Sequence, residues 1–387
     1  MVKVHWPRWC GSWFISLAAL SGCSDAEKSS ADDSKGGTSG SIAIIGDGGN
    51  GGTQARAGSG NVAGRAGGGS SGSGGAKNGG AGPGNREISC PDGVVEGDVV
   101  VRTQADYQAL LPCTEINGSI QLSLEGPIEL PNLERLSGDL NLGDQPTSIS
   151  ASALEVIEGD LLIWLADGVV DVSLPALESA GTVRIEEAPA LVSVRLPALT
   201  SAYRIHVETV ASLTTLEVPA LTTVFDPTEG LTGEVTFYDA PKLRAVDLPS
   251  LRTVEGAVGA NSNESLETFE LPQLETVEQL VFSRSSSAKS LSLPQLTECT
   301  GDLTMIQNDV LERVSMPLLE HVAGFLFISG NPALEALELP SFVHADYRAL
   351  TIRGNPSLPQ CAVEEIAARL DPPVESLTLD GNLGTCD

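Results

Sequence analysis

The chain has 387 residues, with 51 acidic side chains against 22 basic ones and a net charge of −29 at pH 7. That balance excludes a nucleic-acid partner, because such a surface offers nothing to neutralise phosphates, and it disfavours close apposition to an anionic membrane. Half of the 42 glycines fall between positions 36 and 84, so the amino-terminal part has little from which to build a core.

At the amino terminus Lys3, His5 and Arg8 precede an apolar run over 13–20. That run is too short to cross a bilayer as a mature helix. It ends in Leu20-Ser21-Gly22-Cys23, which resembles the lipobox of bacterial lipoproteins. The resemblance implies that 1–22 is a signal peptide and that cleavage leaves a lipidated Cys23. The thiolate is the nucleophile that a thioether requires, and several acyl chains anchor firmly where one does not. Ser24 after the cysteine implies, by the same resemblance, an outer-membrane address, on the cell-surface or the periplasmic side. The membrane is thus a partner through the acyl chains.

Residues 23–89 read as the lipidated cysteine followed by a disordered Gly/Ser-rich tether, with a root-mean-square reach of roughly 45 Å. Its acidic and basic groups cancel, so the negative excess belongs to the remainder. The stretch 46–51, G-D-G-G-N-G, matches a dinucleotide fingerprint in form. No helix or βαβ pattern surrounds it, so it has no phosphate-cradling geometry and reads as linker.

The folded domain is expected over 90–387. Its unit is the phrase L-E-A-L-E-L-P at 334–340, which recurs at 191–197, 213–219, 243–249, 266–272 and 311–317. Prolines 175, 197 and 219 are 22 residues apart, and those at 249, 272, 294, 317 and 340 are 22 or 23 apart. A fixed period of this size is the signature of a solenoid. Within the rung 311–334, two pieces alternate apolar and polar residues, 314–316 and 325–328, and both read as short strands. Proline sits at the end of the first, where it need not donate to a ladder. Glycine precedes the second (positions 138, 159, 181, 233, 256, 301 and 324), as a corner with unusual dihedrals would require. Asn308, Asn331, Asn355 and Asn382 share one turn position and are expected to form an internal ladder.

The opening Cys90-Pro91-Asp92-Gly93, the run from Tyr107 to Cys113, and the phrase Ile116-Asn-Gly118-Ser-Ile120-Gln-Leu122 resemble receptor L-domain repeats; Val322 to Ile328 carries the same phrase. The resemblance implies a right-handed parallel β-helix and a Cys90–Cys113 disulfide. Here about a dozen rungs of about 22 residues run on with no cysteine-rich module between them, so the resemblance bears on fold and not on a receptor role. The fold expected is therefore an all-β solenoid closed by a short C-terminal capping helix. That helix is read over 362–370, from Ala362, Val363, Ile366 and Leu370 on one face, and Asp371-Pro372-Pro373 stops it. A last strand over 374–379 and a Cys361–Cys386 disulfide complete a cap over the open edge. Cys299 takes the rung position of Val277 and Val322 and is read as a small buried hydrophobe.

Two candidate sites emerge. Glu217, Asp247 and Glu270 fall on the outward position of consecutive first strands, about 4.8 Å apart if the strands stack. Carboxylates that close attract a divalent cation, so the column reads either as a solvated acidic face or as a weak Ca2+ site; no other cofactor is expected. The single break in period inserts eight residues over 225–232, and such insertions project as loops that carry binding. Tyr203, Phe225, Asp226, Glu229 and Tyr238 are the candidate contact residues. His206, His321 and His344 lie in unrelated rungs without zinc-ligand spacing. His206 shares a column with Arg184 and Thr236 and reads as surface. There is no G-x-S-x-G and no phosphate loop. The expected function is therefore non-catalytic: a tethered, monomeric scaffold for protein or glycan recognition or adhesion. The alternative is a carbohydrate-active, polysaccharide-lyase-like β-helix enzyme using the acidic column with a bound cation.

Overall fold

The computed structural model describes residues 88–228, 232–346 and 349–386. The signal segment, Cys23, the tether through residue 87 and Glu229 lie outside the described residues. The domain is nearly all β, a solenoid of about 12 turns built from parallel strands, with two short helices. Except where the second and third run on as one strand, as in Ser179–Glu186 and Ser201–Glu208, a rung carries three strands, one more than the alternating pattern indicates. In one rung these are Arg313–Ser315, His321–Val322 and Leu326–Ser329, referred to below as the leading, middle and trailing strands. The middle strand is two residues long, too short to register as an alternation.

Turns between these strands follow local chemistry. Leu196 O accepts from the N–H of Leu199 at 3.1 Å, and Asn331 O accepts from Leu334 at 3.1 Å. Pro197 and Pro332 thereby hold the second position of tight turns, where their fixed φ is favourable and no N–H is needed. The leucine that closes each turn points inward and is fully buried, as Leu199 and Leu334 show. Repetition of this arrangement stacks a continuous core, with Phe237, Phe269 and Phe282 meeting at ring distances of 6.4 and 5.6 Å.

The corner glycines serve a purpose other than the expected one. None of those at 138, 159, 181, 233, 256, 301 or 324 has a left-handed φ. They are small because they stack: a Cβ on Gly159 would lie 2.6 Å from Gly138 C, and one on Gly181 would lie 2.6 Å from Gly159 O. Left-handed backbone falls instead on the turn after the trailing strand, at Leu165, Glu187, Thr209, Asp239, Ser262, Arg284, Gln307, Gly330, Gly354 and Gly381.

Directly after that position runs the asparagine ladder. Asn331 Oδ1 accepts the backbone N–H of Asn308 at 3.0 Å, and Asn331 Nδ2 donates to Met305 O at 3.2 Å and to Asn355 Oδ1 at 3.1 Å. The ladder extends to Asn382 and is fully buried or nearly so. It also begins earlier than the four-asparagine phrase suggests, because Asn263 accepts from Ala240 N–H at 3.0 Å, and Ser285 takes one rung between them.

Both ends are closed. Cys90–Cys113 and Cys361–Cys386 are disulfide-bonded, with Cα atoms 5.5 and 6.1 Å apart. The C-terminal helix runs over Gln360–Ala368 and buries Val363 and Ile366. A second helix, Gln104–Leu110, packs against the first rung in addition to the C-terminal helix expected from the sequence. Its signal was a capping box, in which the Thr103 hydroxyl accepts from Asp106 N–H at 3.2 Å while Asp106 accepts from Thr103 N–H at 2.9 Å. Cys299 is fully buried, and burial pushes its thiol up to about 12, so it behaves as the hydrophobe expected.

Replacing Asn331 by leucine strands the buried N–H groups of Asn308 and the carbonyl of Met305. We expect Asn331→Leu to lower unfolding free energy by about 3 kcal/mol, read as a fall in the guanidinium midpoint. Substitution of the exposed Glu335 by alanine should change stability by less than about 0.5 kcal/mol.

Candidate functional site

Strand register brings together residues that are far apart in sequence. On the trailing face, Leu162, Arg184, His206 and Thr236 form one outward column, and Trp164, Glu186, Glu208 and Tyr238 form the next. The expected Arg184–His206–Thr236 column is therefore present, but its surroundings are not plain surface. His206 Nε2 lies 3.3 Å from Glu186 Oε1 and 3.2 Å from Glu208 Oε2. Its Nδ1 lies 2.8 Å from the hydroxyl of fully buried Thr236, with Glu234 Oε1 3.9 Å away. The Tyr238 ring sits 6.0 Å from the imidazole, and burial, then Glu234 and Glu208, pushes its phenol up to about 12.

Arg184 closes one side of this group. Its Nη2 donates to Glu186 Oε2 at 2.6 Å, and its guanidinium stands 5.6 Å from the Trp164 ring centre. The bond to Glu186 holds the guanidinium above its ordinary value, against the opposing effect of burial. Trp164 itself is 48% exposed.

The insertion departs beside the same face. Phe225 N–H donates to Ala202 O at 3.1 Å, and Tyr203 and Phe225 are exposed at 37% and 45%. Asp226, expected as a contact residue, is buried at 7%. Its Oδ2 lies 3.3 Å from Arg204 Nη2 and its Oδ1 accepts Thr228 N–H at 3.0 Å. It fastens the loop to the neighbouring rung and is not available to a partner. Tyr238 is partly buried by the acidic group around it.

The carboxylate column is interrupted. Asp247 and Glu270 are register partners, but Glu217 ends one five-stranded sheet and Asp247 begins another. No ladder crosses that point, and Glu217 lies 4.0 Å from Arg195. Among the described residues, a single group brings three ligand atoms from His, Cys, Asp or Glu within 4.8 Å of one another: Glu186, His206 and Glu208. The signal for it was available in the numbering. Trp164, Glu186 and Glu208 are 22 apart, as are Arg184 and His206, and laying the rungs in register places them together.

The chain matches no protein-family model, no curated protein and no solved structure.

A second histidine lies on the middle face. His321 Nδ1 is 3.0 Å from Glu298 Oε1 and its Nε2 is 3.0 Å from Asp346 Oδ2. Burial lowers its pKa, but the bonds to Glu298 and Asp346 outweigh that and raise it above 6.5. A raised folded value means that the stabilisation is complete below the unfolded value and fades as pH rises through the folded one. Ring-proton NMR titration should place the His321 midpoint above 6.5, with Asp346→Asn moving it down; a wild-type midpoint at or below 6.5 contradicts the pairing.

Proposed function

We infer that this chain is a lipid-tethered envelope protein whose solenoid recognises a protein or glycan without chemical turnover. The anchor rests on the Leu20-Ser21-Gly22-Cys23 motif and the stalk on the glycine-rich segment behind it. The observation that carries recognition is the exposure of Trp164, Tyr203 and Phe225 on nearby rungs, whereas Phe237 and Phe282 are fully buried; Phe325, also exposed, stands on a rung nearer the C-terminus. Aromatic side chains offer large contact areas for little lost conformational freedom, and they dominate binding energies at interfaces. Here they are mounted on, or beside, strands fixed by neighbours on both sides, so a partner meets a surface that needs little ordering. Charge around them is predominantly acidic (Glu186, Glu208, Glu234), which suits a partner with cationic or hydroxyl donors.

The alternative, a carbohydrate-active enzyme, would work through the acidic column, of which Asp247 and Glu270 are register partners. Full-length protein immobilised through its amino terminus should capture a component of an envelope polysaccharide and surface-protein panel. Trp164→Ala combined with Tyr203→Ala and Phe225→Ala should weaken that capture at least tenfold, about 1.4 kcal/mol. Unchanged capture by the triple variant would sink the reading. So would release of reducing ends from any polysaccharide that is lost on Asp247→Asn.

A further inference from the structure

We propose that Glu186, His206 and Glu208 form a binding site for a divalent ion of the zinc class on the trailing face. Three observations converge on it. The first is distance. Two ligand atoms each about 2.0 Å from a tetrahedral ion stand about 3.3 Å apart, and His206 Nε2 lies 3.3 and 3.2 Å from the two carboxylate oxygens. Glu186 is free to supply that oxygen because Arg184 engages its other one.

The second observation is the support behind the imidazole. Thr236 is fully buried although it occupies an outward strand position, and its hydroxyl meets His206 Nδ1 at 2.8 Å. A ligating histidine requires a partner on its second nitrogen to fix the ring, and a hydroxyl serves because it accepts as well as donates. The ring is thus oriented with Nε2 toward the two glutamates by a group that has no other evident use in the strand.

The third is charge. Glu186, Glu208 and Glu234 crowd the imidazole, and Arg184 is the one cation bonded into the group, since Arg204 is paired with Asp226. Two negative charges remain, which a divalent cation balances. A mixed nitrogen and carboxylate donor set suits zinc and its neighbours, whereas calcium prefers six to eight oxygens. Three protein ligands are one fewer than a closed tetrahedral shell, so a position remains for water or for a donor atom from a partner.

This inference does not depend on the recognition reading, because metal retention needs no partner. The test uses the full chain, stripped with chelator and dialysed against micromolar Zn2+ with calcium in excess. One equivalent of zinc per chain is expected to be retained. His206→Gln and Glu208→Gln should each weaken retention at least tenfold, while Glu217→Gln, on the leading face, should not. Unfolding midpoints measured without metal report whether each variant is folded; Glu208, whose side chain is half exposed, carries the test if His206→Gln is not. Absence of stoichiometric zinc in the wild type, equal retention by both site variants, or displacement of zinc by calcium would each overturn the proposal.

Discussion

Every rung of this solenoid depends on its neighbours to satisfy its polar backbone. Outside its tight turns a rung has no internal ladder, so most of its buried N–H and C=O groups find partners above and below, and an unpaired buried group costs about 1–3 kcal/mol. Strand pairs meet that requirement along the faces. At the turns, side chains take over. Asparagine oxygens accept the N–H of the preceding rung along one edge. At the glycine corner the sense reverses: Asp98, Ser119, Asp139 and Asp160 accept the N–H of the following rung, from Ser119, Asp139, Asp160 and Thr182. The glycines at that corner are the other half of the same constraint, since only they let successive backbones come close enough.

Locking the turns also locks the register, and register is what creates surface chemistry. Residues on one outward column stand a strand spacing apart, about 4.8 Å, whatever lies between them in sequence. Several basic residues are used in this way in simple cross-rung pairs, among them Arg135–Glu158, Arg252–Glu275 and Lys289–Glu312. These side chains are roughly half exposed or more, so each pair contributes at most a few tenths of a kcal/mol to about 1 kcal/mol. They moderate the self-repulsion of an acidic solenoid more than they hold it together. The neighbourhood of His206 differs in kind, because carboxylates there outnumber the cations that answer them and the polar groups are partly withdrawn from water.

How much of this was legible in the sequence depended on range. The rung period, the inward leucines and four members of the asparagine ladder could be read because each is a local phrase repeated at a fixed interval. The Cys90–Cys113 disulfide was instead implied by the receptor L-domain resemblance, and Cys361–Cys386 by the need to cap an open edge. The two-residue middle strands could not be read, since an alternation needs more than one repeat to show. The helix Gln104–Leu110 is seven residues long and buries only Leu110, too short for a helical period to show, although Thr103 and Asp106 spell its start. Left-handed turns were assigned to the wrong glycines because seven residues with full side chains, from Leu165 to Gln307, take that conformation instead. The acidic triad Glu217, Asp247 and Glu270 rested on unbroken stacking through a rung lengthened to 30 residues, and the leading sheet parts there. The His206 group went unread for the opposite reason: its members are ordinary one by one and become a site only across rungs.

The central claim, that side-chain amides in the turns bind each rung to the next, is tested most directly by residue-resolved hydrogen exchange on the full-length protein. If the ladder closes the stack as described, the backbone amides of Asn308, Asn331 and Asn355 should exchange as slowly as the core strand amides of Met305 and Ile328, all opening together. Exchange of the three asparagine amides at the rate of the exposed turn residues beside them would contradict it.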